Sequence, residues 1–331
     1  MVKNFVVIAA LIVLVSCKQE TKLYLNYVKG EAFGTTFSAQ FIAKEEIDFK
    51  LSYDSIIDVI NTSMSTYMPN SDISRINKGD TRVTVDEHFK NVFKASKKIH
   101  VATNGAFDPT IGVLVNAWDF GPEGKITSLD SLKIDSLMLS VGLDKVALIE
   151  SKIVKSHPET YIDFNALAKG YAVDVFASFI EAKGIENYLV EIGGEIRGKG
   201  SNLTKKKPWR IGVEDPNFDD TQSYSKVISL QNEAMATSGS YRKYKVDDLG
   251  NRYAHILDAK TGYPHKSKLL SVSILAASCM DADAYATALM SMGLEQAKIF
   301  LKSHPELKTY LIYEDDQKQL QTLAVNGFSN D

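Results

Sequence analysis

Four short stretches carry the residues best suited to chemistry. In Asp281-Ala-Asp283-Ala-Tyr-Ala-Thr287, Asp283 and Thr287 stand four apart, so a helix would turn both onto one face. A carboxylate and a hydroxyl are hard oxygen donors suited to Mg²⁺, which takes few protein ligands and completes its shell with water and phosphate. The same stretch also reads as a capping pair, Ser278-x-x-Asp281, with Asp283 solvated in the first helical turn. Asp163-Phe-Asn-Ala166-Leu-Ala-Lys169-Gly170-Tyr171 falls at a strand-to-helix junction. There a helix N-terminus could receive a phosphate on its free N–H groups, Lys169 would add a full charge, and Gly170 would permit close approach. Asp163 or Asn165 as a helix cap, with Lys169 solvated, accounts for the spacing equally well. Gly105-Ala106-Phe107-Asp108-Pro109-Thr110 offers an aromatic and an acid in a turn, able to clamp a planar ring or simply to end a helix. In Tyr253-Ala-His255-Ile256-Leu257-Asp258, followed by Thr261-Gly262-Tyr-Pro264, the imidazole has the chemistry of a base near neutral pH, or of a hydrogen-bonded structural residue.

The elements that must position these groups are of both periodicities. Tyr24 to Val28, Thr35 to Ile42, Tyr188 to Ile192, Arg210 to Val213, Ser225 to Leu230 and Leu269 to Ala276 read as strands. Helices are expected over Phe49 to Met64, with Leu51, Ile56, Ile57 and Ile60 inward, and over Asp86 to Thr103, ended by Asn104-Gly105. A third runs from Asn165 to Lys183, closed by Gly184, with Ala168, Ala172, Val175, Phe176, Phe179 and Ile180 as its apolar stripe. Met280 to Met292 and Leu294 to Ser303 read as two more. Strands and helices do not alternate one for one, so the class is α+β, not doubly wound.

Composition narrows the field. Apolar residues make up 44% and charged residues 24%, as in a globular protein. The net charge of −3 gives no electrostatic footing for nucleic acid. Lys3 and the apolar run Phe5 to Val15, shorter than a membrane helix needs, have the shape of a secretory leader. Ser16-Cys17 at its end resembles the lipobox of bacterial lipoproteins, in which the cysteine is acylated. The expected organisation is a leader over 1–16, a lipidated Cys17 and short tether over 17–23, and one compact domain over 24–331. Such a protein would sit on the extracytoplasmic side, facing the periplasm, on acyl chains. Outside the lipobox only Cys279 remains, so an internal disulfide is excluded.

Several familiar sites are absent. No His-Glu-x-x-His or Cys-x-x-Cys supplies a zinc site. Gly193 to Lys199 fits G-x-x-x-x-G-K, yet Gly200 stands where a P-loop needs Ser or Thr, so Gly193-Gly194 reads as a tight feature between two strands. No strand leads into G-x-G-x-x-G, and Thr237-Ser238-Gly239 lacks the first glycine of a nucleophile elbow.

Nine blocks in order resemble the ApbE-type FAD:protein FMN transferase family. They are Phe33-Gly34-Thr35; Met64-Ser65-Thr66-Tyr67 with Asp72 to Asn77; Gly105 to Thr110; Asp163 to Gly170; Ile192-Gly-Gly-Glu195-Ile-Arg197; Trp209 to Pro216; Ala236 to Gly239; His255 to Pro264; and Asp281 to Thr287. The resemblance runs from about Phe33 to about Met292. It implies a single α+β domain with mainly antiparallel sheet and packed helices, and a flavin cleft between the Asp163–Gly170 segment and the Asp281–Thr287 helix. It implies FAD contacts at Phe33 (where the family commonly has methionine), Tyr67, Ala106, Phe107, Asp108, Asp163, Lys169, His255, Ile256 and Leu257. It implies Mg²⁺ on the Ala166 carbonyl, Asp283 and Thr287, with the Ala286 carbonyl beside them. Catalysis would rest on His255, Asp283 and Lys169, His255 removing the proton of an incoming threonine or serine, with Asp281 or Asp283 as the alternative base. FMN would pass from FAD to an acceptor protein of an exported or membrane-bound electron-transfer complex, with AMP leaving. The same base acting on water would give a FAD pyrophosphatase; a flavin-binding lipoprotein without chemistry is the other alternative.

Overall fold

The structure, a computed structural model, describes residues 22–124, 126, 129–216, 223–240, 244–246, 252–265 and 267–328. The expected leader, Cys17 and the tether up to residue 21 lie outside the described residues. Among the described residues no helix is long and apolar enough to cross a membrane.

In chain order the elements are β1 (Tyr24–Ala32), β2 (Thr35–Ala43), α1 (Lys50–Met64), α2 (Asp72–Asn77), α3 (Glu87–Ala102), α4 (Gly112–Ala117), α5 (Ser131–Met138), β3 (Val146–Ile149) and β4 (Lys152–Lys155). There follow α6 (Ala168–Ala182), β5 (Tyr188–Ile192), β6 (Glu195–Lys199), β7 (Ser201–Asn202), β8 (Lys207–Glu214), β9 (Tyr224–Leu230) and β10 (Glu233–Gly239). The last are β11 (Tyr244–Val246), β12 (Arg252–Ala254), β13 (Leu269–Ala276), α7 (Cys279–Lys302), β14 (Lys308–Glu314) and β15 (Leu320–Val325). Eight strands form one sheet in the order β1-β2-β5-β6-β10-β13-β14-β15. Each neighbouring pair in it is antiparallel, so the expected α+β class with mainly antiparallel sheet is what the chain adopts.

Both faces of this sheet are buried, and the strands alternate accordingly. Ala234 and Ala236 on β10 join the core beneath α1, α3, α6 and α7, while Met235 between them joins a second core under the small β7-β8-β9 sheet. On β14, Leu311 faces the helices while Tyr310 and Ile312 face the small sheet. Aromatic rings fasten the helical layer. Phe176 of α6 stacks on Tyr53 of α1 at 4.2 Å between ring centroids and meets Phe37 of β2 edge-on at 5.4 Å.

Several element boundaries differ from the sequence reading for physical reasons. On α1 the buried stripe is Tyr53, Ile57, Ile60 and Met64, and Leu51, off that stripe, points to solvent at 84% exposure. Helix α6 starts at Ala168, not Asn165: the Asp163 carboxylate accepts from Asn165 N (2.7 Å), closing a separate turn before the helix begins. Asp86 caps α3 through Phe89 N, and Asn104 (φ 49°) and Gly105 (φ 78°) end it in left-handed conformations, as expected. In α7 the helix breaks at Gly293 (φ 73°, ψ 174°), between the two helices the sequence suggests. The strands β3, β4, β6, β10, β14 and β15 and the short helices α2, α4 and α5 had no clear periodic signature.

Replacing Phe176 by alanine removes the ring that joins α1, α6 and β2. The expected loss is about 3–5 kcal/mol of unfolding free energy, read from urea titration. A loss below about 1 kcal/mol would show that this cluster does not hold the helical layer on the sheet.

Candidate functional site

Most of the sequence blocks collect at one end of the large sheet; the Trp209–Pro216 block lies apart on β8 of the small sheet, where Trp209 Nε1 donates to Lys199 O at the far end of β6 (3.0 Å). The Phe33-Gly34 turn joins β1 to β2, and the Gly193-Gly194 turn joins β5 to β6, in both cases with two left-handed residues (φ 52° and 75°; 59° and 101°). The two turns touch: Gly193 N donates to Thr36 O at 3.1 Å, and a Cβ on Gly193 would lie 2.6 Å from Thr35 Cγ2. Phe33 is a bulky residue held at positive φ and half-buried at this tip, a conformation that needs its surroundings to enforce it. The end of β10, with Ser238, lies on the same side, since Met235 pairs with Ile196 and the strand runs on past Glu195.

Helices α6 and α7 meet here at their N-termini. A Cβ on Gly170 would lie 2.4 Å from Cys279 O and 2.9 Å from the Asp283 Cβ, so only glycine lets the two helices approach this closely. Across that contact Gly170 N donates to Asp283 Oδ2 at 3.0 Å. In a helix begun at Asn165, Gly170 N would instead bond the Ala166 carbonyl. Turned toward Asp283, it leaves the Ala166 oxygen with no donor among the described residues. Asp283 is buried at 4% exposure, which removes the solvated-cap reading of this residue, and within this stretch Ser278 supplies the side-chain cap, at Asp281 N (3.1 Å). One turn further on α7, the Thr287 hydroxyl lies 3.1 Å from that of Ser238, and a second turn on Ser291 donates to the Leu257 carbonyl at 3.2 Å. Ala286 is inside α7, where its carbonyl belongs to the helix ladder.

The charges at this junction do not balance. Lys169 Nζ lies 2.5 Å from Glu195 Oε1, and the other Glu195 oxygen is buried without a hydrogen-bond partner among the described residues. Burial first, then Asp283, pushes the Glu195 carboxyl up to about 8. Burial pushes Asp283 up to about 6 against the opposing pull of Lys169 and Gly170 N–H. Burial pulls Lys169 down, but Glu195 and Asp283 outweigh it and hold the ammonium charged. One ammonium thus faces two buried carboxylates, and the pair shares a deficit of positive charge. Glu195 was quoted in the sequence only as part of a block; its burial beside Lys169 marks it as a member of the site. Among the described residues no three His, Cys, Asp or Glu side chains converge to hold a metal ion. The oxygens present (Asp283, Thr287, the orphan Glu195 Oε2 and the unpartnered Ala166 carbonyl) fit a hard cation that keeps most of its shell from water and phosphate.

The other blocks frame this junction. Asp163 N donates to Pro109 O (2.7 Å), joining the Gly105–Thr110 turn to the Asp163 segment. Asn77 exchanges hydrogen bonds with both main-chain groups of Ile162 (2.8 Å each), and Asn165 reaches Thr66 Oγ1 at 3.3 Å, which brings in the Tyr67 and Asp72–Asn77 blocks. Burial, then the nearby Asp163, raises the Tyr67 phenol, although Tyr67 remains exposed. Asp163 itself is raised by burial. Phe107 is buried in the main core, so the turn presents Ala106 and main chain, not an aromatic face. Asp108 accepts from Thr110 N (2.8 Å), Thr110 Oγ1 (2.6 Å) and Leu143 N (3.3 Å), which commits its oxygens to shaping the turn. His255 is half-buried, 6.2 Å from the Phe120 ring, and Ile256 and Leu257 beside it are buried. The Lys169 main-chain N–H is the one first-turn donor of α6 without a protein acceptor among the described residues. The N-terminal N–H groups of α7 are all filled: Cys279 N (3.1 Å) and Met280 N (2.9 Å) by Asp174, Asp281 N by Ser278, Ala282 N by Ser278 O.

Comparison with known proteins gives one consistent result. A family model described as the ApbE family matches residues 33–311. The chain is 35% identical over 319 residues to the FAD:protein FMN transferase of Vibrio cholerae, covering 94% of each. It is 33% identical to that of Haemophilus influenzae, over 96% of this chain and 94% of the relative. Its fold is similar to the solved flavin transferase ApbE from Vibrio cholerae (TM-score 0.83, 33% identity, 93% of this chain and 99% of that one). It is also similar to the apo form of the Pseudomonas stutzeri flavinyl transferase ApbE (TM-score 0.82, 27% identity, 92% and 96%).

Two outcomes test the junction. Gly170→Ala places a methyl against backbone, so α6 and α7 must separate; the expected loss is about 1–3 kcal/mol in urea unfolding. Glu195 has a folded pKa near 8 against an ordinary 4.5, so it favours the fold while protonated and loses that contribution as pH rises from about 4.5 to about 8. In chelator, melting temperatures of wild type should therefore fall relative to Glu195→Gln between pH 5 and pH 8, then run parallel. Parallel curves throughout would show that Glu195 carries no such penalty.

Proposed function

The chain belongs to the ApbE family, and from that membership we propose that it moves FMN from FAD onto a threonine or serine hydroxyl of a partner protein, releasing AMP, with Mg²⁺ held between α6 and α7. The names of its relatives, FAD:protein FMN transferase, support the flavin donor and the transferase class. The observation that carries the site is the diverted Gly170 N–H, which frees the Ala166 carbonyl beside a buried Asp283.

Ala166 O, Asp283 and Thr287 would hold the cation. When bound it would neutralise phosphate oxygens and supply the positive charge that the two carboxylates lack. The chain's own groups do the rest. Lys169, kept charged by Glu195 and Asp283, offsets charge on the diphosphate, and its main-chain N–H remains open to an anion. Phe33, Tyr67, Ala106 and Asp163 would line the approach for the nucleotide, with Phe107 and Asp108 shaping the turn that carries Ala106, and His255, Ile256 and Leu257 would border it from the α7 side, where the Leu257 carbonyl accepts from Ser291. The acceptor hydroxyl oxygen forms a bond to the flavin-side phosphorus as the bond from that phosphorus to the AMP oxygen breaks. His255 takes the hydroxyl proton, and AMP departs with the bridging oxygen. Positioning and charge neutralisation supply most of the rate in such transfers. Asp281 is the less suited alternative, since it is engaged by Lys98 at 3.3 Å. The acceptors we infer are exported or membrane-bound electron-transfer proteins, met by an enzyme anchored through acylated Cys17 on the extracytoplasmic side.

The test is a product assay. The full chain is incubated with FAD, Mg²⁺ and an acceptor domain, and flavin fluorescence is read after a denaturing gel with AMP counted in parallel. Expected are labelled acceptor and equimolar AMP, a loss on the order of 100-fold or more in Asp283→Ala, and a flattened pH profile in His255→Ala. AMP with free FMN and unlabelled acceptor would favour the pyrophosphatase; FAD bound with no AMP would leave only a binding protein.

A further inference from the structure

Asp174 lies one turn after Gly170 on α6, on the same face, and it grips the same end of α7. Its Oδ1 accepts from Cys279 N (3.1 Å) and Oδ2 from Met280 N (2.9 Å), the first two N–H groups of α7. Arg197 of β6, two residues from Glu195, donates to Asp174 Oδ1 at 2.8 Å and lies 3.5 Å from Glu181. The carboxylate thereby fills the two N–H groups that the Ser278 cap does not reach, and it does so from another helix. Burial raises its pKa, while the two main-chain bonds and Arg197 oppose that, so a half-buried acid is kept in place by the geometry it enforces.

Two points fix a rod in register where one does not. Gly170 sets how close α7 comes, and Asp174 sets its slide and its rotation about its own axis. Asp283 and Thr287 follow Cys279 on the same rigid helix, so a shift of its first turn moves both oxygens relative to Ala166 and Lys169. We propose that Asp174, braced by Arg197, is a positioning residue that clamps the N-terminal turn of α7 and sets the spacing of Asp283 and Thr287 from the Ala166 carbonyl for the divalent cation. The inference rests on the cation reading of the preceding subsection. It adds to that reading a residue that touches neither cation nor nucleotide.

Asparagine at position 174 keeps one acceptor oxygen and turns an N–H₂ toward a main-chain N–H, which must move away. Mn²⁺ serves as the probe, with its affinity for the full chain measured by electron paramagnetic resonance without FAD. Asp174→Asn is expected to weaken Mn²⁺ binding about tenfold, with Arg197→Gln weakening it about threefold, and high Mn²⁺ restoring transfer in both. Asp130→Ala, which removes the side-chain cap of α5 outside the α6–α7 junction, is the control for lost stability and should leave Mn²⁺ affinity unchanged. Should Asp174→Asn fail to fold, Arg197→Gln decides alone. Folded variants that bind Mn²⁺ like wild type would overturn the clamp and leave the cation reading standing. Equal weakening in Asp130→Ala would overturn it as well, making the effect one of general stability. Wild type that binds no Mn²⁺ would sink the cation reading and the clamp together.

Discussion

Everything at the site depends on one close contact, the N-terminal turn of α6 against that of α7. It exists because Gly170 has no side chain: any Cβ there would meet the Cys279 carbonyl. The contact redirects one N–H from the helix ladder to Asp283 and leaves a main-chain oxygen, Ala166, unsatisfied. An unpaired backbone oxygen in such a setting is costly, and proteins keep such groups where something else will meet them. The local cost and the functional opportunity are therefore one feature.

Charge follows from the same packing. Bringing α6 onto α7 buries Asp283 near Lys169, and the Gly193-Gly194 turn delivers Glu195 to the other side of that ammonium. Two carboxylates and one ammonium in a low-dielectric site leave negative charge uncompensated, so Glu195 and Asp283 are raised and a cation is favoured. The site does not assemble a cage of acids, and none of that kind exists among the described residues. Its few oxygens would suit the proposed cation only if water and a diphosphate completed the shell.

Much of this was legible in the sequence, and the parts that were not share a cause. Periodicity located β1, β2, β5, β13, α1, α3 and the break in α7, because each buries one face or carries its own cap. Strand β10, Glu-Ala-Met-Ala-Thr-Ser-Gly, was missed because small residues alternate between two cores and neither face stands out. Strand β6 was legible only as the strand expected after the Gly193-Gly194 turn, and its own pattern was weak because its charged residues pair with groups from α6, far in sequence. Asp283 and Lys169 could be found by spacing and block order, since they sit in helices with regular repeats. Glu195 could not, because its importance lies in burial beside Lys169, which no local pattern encodes. The start of α6 was misplaced for a related reason: Asp163 resembles a helix cap, but it closes a turn that holds Ala166 outside the helix.

The central claim is that the diverted Gly170 N–H creates an oxygen site between α6 and α7 that takes a divalent cation. The most direct measurement is anomalous scattering from a crystal of this protein grown with Mn²⁺ and FAD. The account predicts one strong peak within about 2.3 Å of the Ala166 carbonyl, an Asp283 carboxylate oxygen and the Thr287 hydroxyl, touching the diphosphate. No peak there, or a peak held instead by the surface acids Asp58, Asp72 and Asp86, would contradict it.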